Sequence, residues 1–561
     1  MGQPGKDQLK SLFGHMTVRG FQQLPSKDGR CSFRGTLPCK FGNAIVTLTI
    51  VDWDFVRYPV IQVEDLPKGA PALVPHISAW GGFCYLAPGS VVLDRFKPDV
   101  AVEQCLLLAE KELNRLLSDQ TYRQGEFQSE FGPNWYIGQM PLPRQVLLGT
   151  LKEGDQRCAS YMMSLGDVAA NLISSEPLEA NRVAKACGWE APVLGRSSCW
   201  IIRSQRMPTL MPDGLPETIG AMFTWLKAWD ETVYRRVNQV FGGRDYLAQS
   251  EIAFVIQSAA GWLGFSMEID QTLALAFRRN PGQLRQRLHS GRRNTQIRRI
   301  SVVEISPDFV HGRNLTFPTL KDRRVVLVGC GSIGSYLSQA LVRLGAGTGK
   351  GELTLIDPDY LSPGNLGRHL LGFDALYKEK ATALAELLCK QFPHAKIVAK
   401  PSRIALPADL KLGELLIDAT GEEALSEAIN YHRLTLPEAS RPIAQYIWVT
   451  GRGECVQALW TDEARHACYR CMRQSDDART PRFDLGLPRD EGVMHGCQAF
   501  TPYAVSAPMS ASALAIDQVA AWLGGDVSPR FRTRTVEYSK ARGLKNQDVS
   551  PLKGCPACRA H

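Results

Sequence analysis

Residues 323–369, RRVVLVGCGSIGSYLSQALVRLGAGTGKGELTLIDPDYLSPGNLGRH, contain the pattern that decides the fold of this chain. The apolar run over 325–328 predicts a buried strand, and the amphipathic run over 333–344 predicts the helix that follows it. Three glycines, Gly329, Gly331 and Gly334, lie where the strand passes into the helix. They allow a tight turn in which the backbone closely approaches a phosphate group. The stretch therefore predicts the opening strand, turn and helix of a nucleotide-binding α/β domain.

A second apolar run, over 353–356, predicts another strand, which ends in Asp357. This acid lies about 20 residues beyond the glycine turn, where nucleotide-binding folds hold a carboxylate against ribose hydroxyls. The residues that follow are less usual, because Asn365, Arg368 and Lys380 add an amide and two cations. A hydride transferase has little use for this charge, whereas an enzyme that acts on ATP needs it to offset developing negative charge. The stretch thus favours ATP over a nicotinamide cofactor.

The composition is that of an ordinary globular protein. The chain has 561 residues, of which 44% are hydrophobic and 22% charged, and its formal net charge is +9. We expect a cytoplasmic protein, because no run approaches the ~18 apolar residues of a membrane span and the first residues lack an apolar signal core. In that compartment the 15 cysteines are expected to be metal ligands, nucleophiles or buried apolar residues rather than disulfides.

The chain divides into three sections, which we predict to be domains. The first covers 1–150, and the second, 151–310, mixes short strands and helices without a chemistry-bearing motif. The second section ends in a run with eight arginines between residues 277 and 299, which predicts either a solvated connector or a docking site for an acidic partner or nucleic acid. The third, 311–561, alternates strand and helix, and therefore predicts an α/β fold with a doubly wound parallel sheet.

Four cysteines in the third section have the spacing of a metal site. They form two CxxC pairs: Cys468 with Cys471, and Cys555 with Cys558. Four thiolates in tetrahedral geometry are the usual ligands of a structural zinc ion, and a turn within each CxxC lets both sulfurs reach one ion. We therefore predict a structural zinc site that holds the C-terminal tail against the domain. A redox role for either pair is the minor alternative.

With these motifs in register, residues 311–561 resemble the ubiquitin-activating superfamily, whose bacterial members include the ThiF-like adenylyltransferases of the molybdopterin and thiamine pathways. The resemblance implies that Asp357 binds the ribose of ATP. It also implies that the glycine turn, together with Asn365, Arg368 and Lys380, holds the phosphates. These roles agree with the argument from charge.

The resemblance also implies a magnesium ion and a homodimer. The magnesium-binding aspartate of the family falls here on Gly421, three residues after Asp418, which leaves Asp418 itself or a water network to hold the metal. An arginine usually reaches across the dimer interface in this family, and Arg313 is the candidate for it.

Cys497 lies between the two CxxC pairs, after a polar stretch that contains prolines and before a helix rich in small residues. In the activating enzymes this is the position of the crossover loop and its acceptor cysteine. The chemistry requires a thiolate that reaches an acyl adenylate and captures the acyl group as a thioester. We predict that Cys497 is this nucleophile. The alternative is a packed apolar cysteine.

The first section resembles a ubiquitin-conjugating fold. Its alternating run at 44–51 predicts a strand, its run at 100–117 predicts a helix, and a proline-marked extended stretch leads to a loop with a single cysteine, Cys84. In conjugating enzymes a His-Pro-Asn triplet precedes the catalytic cysteine, and here residues 74–76, Val-Pro-His, stand in that place. The resemblance implies that Cys84 is a nucleophile. It implies that His76, in place of the asparagine, donates to the oxyanion or deprotonates the amine, with loop packing as the alternative.

An activating-like and a conjugating-like module, joined by a linker domain, resemble the fusion enzyme of CBASS anti-phage operons. That resemblance implies the adenylation of a C-terminal carboxylate, with a cGAS-like nucleotidyltransferase as the protein that carries it. The acyl group would pass to Cys497, then to Cys84, and finally to a lysine amine of a target protein. The cofactors implied are ATP, Mg²⁺ and Zn²⁺.

Three other functions stay open from the sequence. The first is an adenylyltransferase that activates a sulfur-carrier or ubiquitin-like protein, with the N-terminal half as a docking module. The second is a nicotinamide-dependent oxidoreductase, which would keep Asp357 but has no use for Arg368 and Lys380. The third is a nucleic-acid scaffold, which depends on the arginine run alone and predicts binding that weakens steeply with salt.

Overall fold

The computed structural model describes most of the chain and divides it into two compact units. The first unit comprises residues 1–177 and 192–304, and the second comprises 178–191 and 305–561. The described residues are 5–25, 30–78, 80–135, 145–166, 168–211, 214–290, 295–474, 480–487, 493–495, 498–536 and 542–558.

The first unit begins with a five-stranded antiparallel sheet and four helices. In chain order these elements are α1 (Lys6–Val18), β1 (Gln22–Gln23), β2 (Cys31–Cys39), β3 (Gly42–Ile50), β4 (Val60–Asp65), β5 (Gly82–Phe83), α2 (Pro98–Ser118), α3 (Gln120–Ser129) and α4 (Phe131–Trp135). Alternate residues of β3, including Ala44, Val46 and Leu48, are buried in the core, and α2 packs against β2. The strand predicted at 44–51 and the helix predicted at 100–117 are both confirmed.

The rest of the first unit is a closed barrel of seven strands. Its part of the chain contains β6 (Gln145–Leu148), β7 (Gln156–Leu165), β8 (Val168–Ser174), α5 (Glu179–Cys187), β9 (Val193–Arg203), α6 (Ile219–Trp229), α7 (Glu231–Gly242), β10 (Glu251–Ser258), β11 (Gly261–Glu268), α8 (Gln271–Phe277), α9 (Pro281–His289) and β12 (Arg298–Glu304). The strands follow the order β10-β11-β12-β6-β8-β7-β9, and β9 pairs with β10 to close the barrel. Helix α5 is the exception, because it belongs to the second unit and packs there.

One arginine of the arginine run is buried, whereas a solvated connector would expose it. Arg299 is buried, and its guanidinium donates to the carbonyl oxygens of Trp135 at 2.8 Å and Pro216 at 2.9 Å. A buried guanidinium has a structural role when its donors are satisfied by backbone carbonyls. Arg292 and Arg293 lie outside the described residues.

The second unit is built on a seven-stranded sheet. Its elements, after α5, are α10 (Pro307–Gly312), β13 (Arg324–Val328), α11 (Ser332–Arg343), β14 (Glu352–Ile356), α12 (Lys380–Gln391), β15 (Ile397–Lys400), β16 (Leu415–Asp418), α13 (Glu423–Thr435), β17 (Ile443–Thr450), β18 (Cys455–Thr461), β19 (Val493–His495), β20 (Gln498–Phe500), α14 (Ser506–Leu523) and β21 (Phe531–Thr535). The strand order is β15-β14-β13-β16-β17-β18-β21, while β19 and β20 form a separate hairpin.

The alternation predicted for the third section is confirmed, with one correction at an edge of the sheet. The five strands from β15 to β17 are parallel, as expected for a doubly wound sheet. Strands β18 and β21 run antiparallel, so the sheet is mixed. The cause is the short turn over 451–454 between β17 and β18, which is too short for the crossover that a parallel connection needs.

In the described part of the chain, the helices are too short or too polar to cross a lipid bilayer.

Replacement of Gly334 by alanine tests the packing of the glycine turn. A Cβ atom at this position would overlap the backbone carbonyl oxygen of Gly329, which has no room to move. Gly331→Ala is the matched control, because a Cβ atom there meets open space. We expect Gly334→Ala to lower the thermal midpoint of unfolding by several degrees, since overpacking costs roughly 1–3 kcal/mol, and Gly331→Ala to leave it nearly unchanged. Equal midpoints for the two variants would contradict this account of the turn.

Candidate functional site

A cavity of about 880 Å³ opens in the second unit, where the parallel strands β13, β14 and β16 end. Ligands of open α/β sheets bind at this edge, because the carboxyl ends of the strands and the following loops converge there. Six of the eight residues that we predicted for the cofactor line its wall: Gly329, Gly331, Asp357, Asn365, Arg368 and Lys380. The cavity therefore brings these six residues together, although they are up to about 50 positions apart in sequence.

The glycine turn is held to the second strand through Asp357. The amide of Cys330 donates to Asp357 Oδ2 at 2.6 Å, and the amide of Asp359 donates to Oδ1 at 2.8 Å. Burial raises the pKa of the Asp357 carboxyl. Because each carboxylate oxygen has more than one acceptor site, these bonds leave capacity for the hydroxyls of a ribose.

His369 also holds the turn, although the sequence analysis did not assign it a role. Its Nδ1 accepts from the amide of Leu371 at 3.0 Å, so the proton of the neutral ring is on Nε2. Nε2 then donates to the carbonyl oxygen of Cys330 at 2.7 Å. Burial lowers the pKa of His369, which keeps the ring neutral in this arrangement. Cys330 is thus held at both its amide and its carbonyl group.

The cationic side of the cavity is formed by Lys380 and Arg368. Lys380 is buried at the start of α12, and its Nζ lies 3.0 Å from Asp359 Oδ2. Arg368 donates from Nη1 to the carbonyl oxygen of Thr501 at 3.2 Å, and its guanidinium lies over the ring of Tyr503. These two cations face a wall rich in backbone amides, which is an arrangement suited to phosphate groups.

Asn365 and Asp418 are occupied by local hydrogen bonds. Asn365 Oδ1 accepts from the amide and the hydroxyl of Ser362, both at 3.0 Å. Asp418 is fully buried behind the cavity wall, where it accepts from the amide and hydroxyl of Thr420 and from the hydroxyl of Ser426. Burial raises the pKa of Asp418.

Other residues at the wall were missed by sequence reasoning. Gly334 lies behind the wall, packed on Gly329. The guanidinium of Arg313 lies over the ring of Phe309 in the same chain, and the proposed reach of Arg313 across a dimer interface stays a prediction. The additional lining residues with polar side chains include Ser332, Asp359, His369, Arg403, Glu422 and Tyr503. Glu422 follows Gly421 directly, so the sequence carried a signal for an acid at this place, whereas Arg403 had none.

The four cysteines of the CxxC pairs come together in the second unit. Their sulfurs all lie within 4.8 Å of one another, and the measured pairs are 3.6, 3.7 and 3.8 Å apart. Tetrahedral ligands at a Zn–S distance of 2.3 Å would be separated by about 3.8 Å, so the spacing fits a zinc ion.

The surroundings of this cluster favour thiolates at Cys471 and Cys555. The amide of Leu552 donates to Cys471 Sγ at 3.3 Å, and Asn430 Nδ2 donates to Cys468 Sγ at 3.6 Å. Hydrogen bonding from Cys468 lowers the pKa of Cys555 to about 4 and that of Cys471 to about 7, and the same contacts raise the pKa of Cys468, which donates them. Thiolate is the form in which cysteine binds metals.

Cys84 lies in the first unit, directly after β5, and its side chain is exposed. Its amide donates to the carbonyl oxygen of His76 at 2.8 Å. His76 has a φ of 67°, a left-handed conformation that is uncommon for a residue other than glycine and concentrates at functional sites. The structure therefore brings His76 and Cys84 together, as the sequence predicted.

The ring of His76 is held between two carboxylates that the sequence did not reveal. Its Nε2 lies 2.9 Å from Glu126 Oε2, and its Nδ1 lies 3.1 Å from Glu130 Oε2. Partial burial, with the charges of Glu130 and Glu112, raises the pKa of the Cys84 thiol. Cys84 is therefore a protonated thiol near neutral pH.

Cys497 lies outside the described residues, between β19 and β20. Cys105 and Cys330 are buried, and Cys31 and Cys39 are half-buried.

Replacement of Glu130 by glutamine tests the electrostatic surroundings of Cys84. The loss of a negative charge is expected to lower the pKa of the thiol, so the pH profile of its alkylation by iodoacetamide shifts to lower pH. At pH 7.5 the rate should rise by a factor of about three. Glu64→Gln is the matched control, because Glu64 pairs with Arg34. Mass spectrometry of the Cys84 peptide measures the rate, and an unchanged or slower rate in Glu130→Gln would contradict the assignment.

Comparisons with known proteins find relatives whose similarity extends over both units. The ThiF family matches residues 313–556. The ATP-dependent ubiquitin transferase-like protein Cap2 of Pseudomonas aeruginosa is 30% identical over 555 residues, which is 97% of either chain. Cap2 of Vibrio cholerae serotype O1 is 24% identical and matches over 92% of either chain.

Among solved structures, the crystal structure of Escherichia coli MccB with ATP is 18% identical and has a TM-score of 0.33 over 43% of this chain and 67% of that one. A score this low carries no conclusion. The identity to the Pseudomonas protein is decisive, because it extends over nearly the whole length of both chains. The chain belongs to the family of ATP-dependent ubiquitin transferase-like Cap2 proteins.

Proposed function

We propose that this enzyme adenylates the C-terminal carboxylate of a protein, passes the acyl group through Cys497 and then Cys84, and joins it to an amine in anti-phage defence. The observation that carries the proposal is the cavity that gathers Asp357, Arg368 and Lys380 at the glycine turn. An acid for the ribose, two cations and a row of backbone amides are the groups that ATP requires.

In the first step, the carboxylate of the protein substrate attacks the α-phosphorus of ATP, and pyrophosphate leaves. Asp357 binds the ribose, while Lys380, Arg368 and Asn365 offset and orient the charge of the phosphates. Lys380 is suited to this because it is buried and its one ion-pair partner within the described residues, Asp359, is largely exposed. A buried cation acts on a phosphate more strongly than one in water.

Mg²⁺ would add positive charge at the phosphates during this step. We predicted Asp418 as its ligand, but the oxygens of Asp418 already accept three hydrogen bonds behind the wall. Asp359 and Glu422 have carboxylates at the cavity, and oxygen is the donor that Mg²⁺ prefers. We therefore assign the metal to Asp359 and Glu422, and to Asp418 the task of fixing the loop through Thr420.

In the second and third steps, Cys497 displaces AMP to form a thioester, and Cys84 takes the acyl group by transthioesterification. The amine of a lysine then attacks the Cys84 thioester, and the thiol leaves as the isopeptide bond forms. The carboxylates Glu112 and Glu130 surround Cys84 with negative charge, which attracts a lysine ammonium. His76, held by Glu126 and Glu130, keeps the Cys84 loop in place through its carbonyl oxygen. We propose that the ring of His76 donates to the oxyanion or takes the proton of the attacking amine.

The partners and domain roles follow from the family and from the resemblance described above. We propose that the protein substrate is a cGAS-like nucleotidyltransferase, that the chain is cytoplasmic, and that it forms a homodimer through its adenylation domain. Residues 1–150 would act as a ubiquitin-conjugating-like domain, 151–310 as a linker domain and 311–561 as the ThiF-like domain. The seven-stranded barrel is the main structure of the linker range.

A second candidate function is supported by the extent of one comparison. The ThiF family matches 313–556 and nothing in the first unit. This favours an adenylyltransferase that activates a sulfur-carrier or ubiquitin-like protein, in which the N-terminal half acts as a docking module.

Single substitutions at the two cysteines distinguish these functions. With ATP and a cGAS-like nucleotidyltransferase as the protein substrate, we expect Cys497→Ala to abolish thiol-sensitive adducts and conjugates. Cys84→Ala should keep the Cys497 adduct and lose the conjugates. Non-reducing and reducing gels give the measurement, and Cys187→Ala is the control, because Cys187 is exposed on α5. Conjugates that survive Cys84→Ala would favour the docking-module function.

Removal of the cysteine cluster tests the zinc proposal. We expect one zinc ion per chain by elemental analysis, and Cys468→Ser or Cys555→Ser to lose it, because three thiolates bind the ion more weakly than four. The thermal midpoint should fall by at least about 5 °C. Cys389→Ser, at a half-buried cysteine of the same unit, is the control. A purified chain without zinc and with normal stability would rule the proposal out.

A further inference from the structure

Arg368 is a cation of the ATP cavity, yet it holds two residues that follow Cys497. It donates to the carbonyl oxygen of Thr501 at 3.2 Å, and its guanidinium carbon lies 4.8 Å from the ring centroid of Tyr503. The hydroxyl of Tyr503 in turn lies 3.0 Å from Ser332 Oγ, at the start of α11 in the glycine turn. Thr501, Tyr503, Arg368 and Ser332 all line the cavity. Contacts therefore run without a break from the glycine turn to the segment after Cys497.

The contacts of Arg368 are of a kind that a phosphate group displaces. Across the described ranges, no carboxylate pairs with its guanidinium, whereas Lys380 is paired with Asp359. A neutral carbonyl and a ring hold a guanidinium more weakly than an anion does, and phosphate accepts two parallel hydrogen bonds from it. A nucleotide that presents its β- and γ-phosphates therefore competes with Thr501 and Tyr503 for Arg368.

Tyr503 itself is fixed from the other side by Gly453. This glycine lies in the turn between β17 and β18 with a φ of 95°, and a Cβ atom there would lie 2.8 Å from Tyr503 Cβ. The Cβ atom of Tyr503 therefore packs against a position that has no side chain. The ring lies at the cavity wall, where its hydroxyl contacts Ser332 and its face lies against the guanidinium of Arg368.

We propose that Tyr503 is a positioning residue that couples the two half-reactions of the adenylation unit, an inference that rests on the function proposed above. Without bound triphosphate, Arg368 and Ser332 hold Tyr503, and with it the segment after Cys497. Binding of ATP draws Arg368 to the phosphates and releases Thr501 and Tyr503. Departure of pyrophosphate returns Arg368 to them. The segment after Cys497 is therefore held when no triphosphate is bound, and it is released when ATP is bound.

The reactivity of Cys497 in the full-length protein measures this coupling. The rate of its alkylation by iodoacetamide is followed by mass spectrometry without ligand, with α,β-methylene-ATP, and with AMP, and Cys84 serves as an internal reference in the other unit. We expect α,β-methylene-ATP to raise the rate by a factor of about three in the wild-type chain, and AMP to leave it unchanged. In Tyr503→Ala the rate should be high under all three conditions.

Two further variants keep the test decisive. Tyr503→Phe keeps the ring over Arg368 but loses the bond to Ser332, so its response to the nucleotide should be smaller than that of wild type. Tyr431→Ala removes an exposed tyrosine of the same unit and should respond as wild type does. A wild-type response in Tyr503→Phe and, where it folds, in Tyr503→Ala would overturn the proposal.

Equilibrium binding of α,β-methylene-ATP distinguishes a failure of the proposed adenylation function from a failure of the proposed coupling through Tyr503. If the nucleotide fails to bind, the proposed adenylation function is wrong. If it binds and the alkylation rate of wild-type Cys497 does not change, the coupling is wrong while the adenylation function stands.

Discussion

The hydrogen bond from the Cys330 amide to the Asp357 carboxylate is the contact on which the nucleotide cavity depends. It joins the glycine turn after β13 to the end of β14, so the two strands end at a fixed distance and orientation. His369 adds a second bond to the carbonyl group of the same residue. With both ends of one peptide segment held, the amides of the turn point in a fixed direction. Electrostatic stabilisation requires such an arrangement, because dipoles that are already oriented cost no reorganisation during the reaction.

The two units carry different charged groups at their reactive positions. The cavity of the second unit combines the cations Arg368 and Lys380 with carboxylates, whereas Cys84 in the first unit lies near the carboxylates of Glu112 and Glu130. In the proposed chemistry, the cations match a triphosphate, and the carboxylates near Cys84 match a lysine ammonium. The modest net charge of +9 therefore hides two sites of different character.

Local patterns in the sequence predicted the opening strand, turn and helix of the second unit, its next strand, and six of the residues that line its cavity. The glycine turn, Asp357 and the CxxC pairs are short motifs whose geometry depends on neighbours in sequence, and the structure brings their residues together. Glu126 and Glu130 were not predicted, because α3 and α4 reach His76 only through tertiary packing. The antiparallel edge was missed because β18 is buried along its whole length and does not alternate apolar with polar residues, which is also the pattern of a parallel strand. Arg299 looked like part of a charged surface until its carbonyl partners, far apart in sequence, were known.

The chain builds its second unit from two separate pieces. Helix α5 is made before most of the barrel strands, yet it packs on α12, about 200 residues later in the chain. The second unit is therefore incomplete until the ribosome has made both pieces, and α5 has no partner in its own unit while the barrel is being synthesised. A single cut in the chain cannot separate the two units, because residues 178–191 of the second unit lie between the two pieces of the first. A fragment that starts near residue 311 would leave the surface of α12 without the helix that covers it.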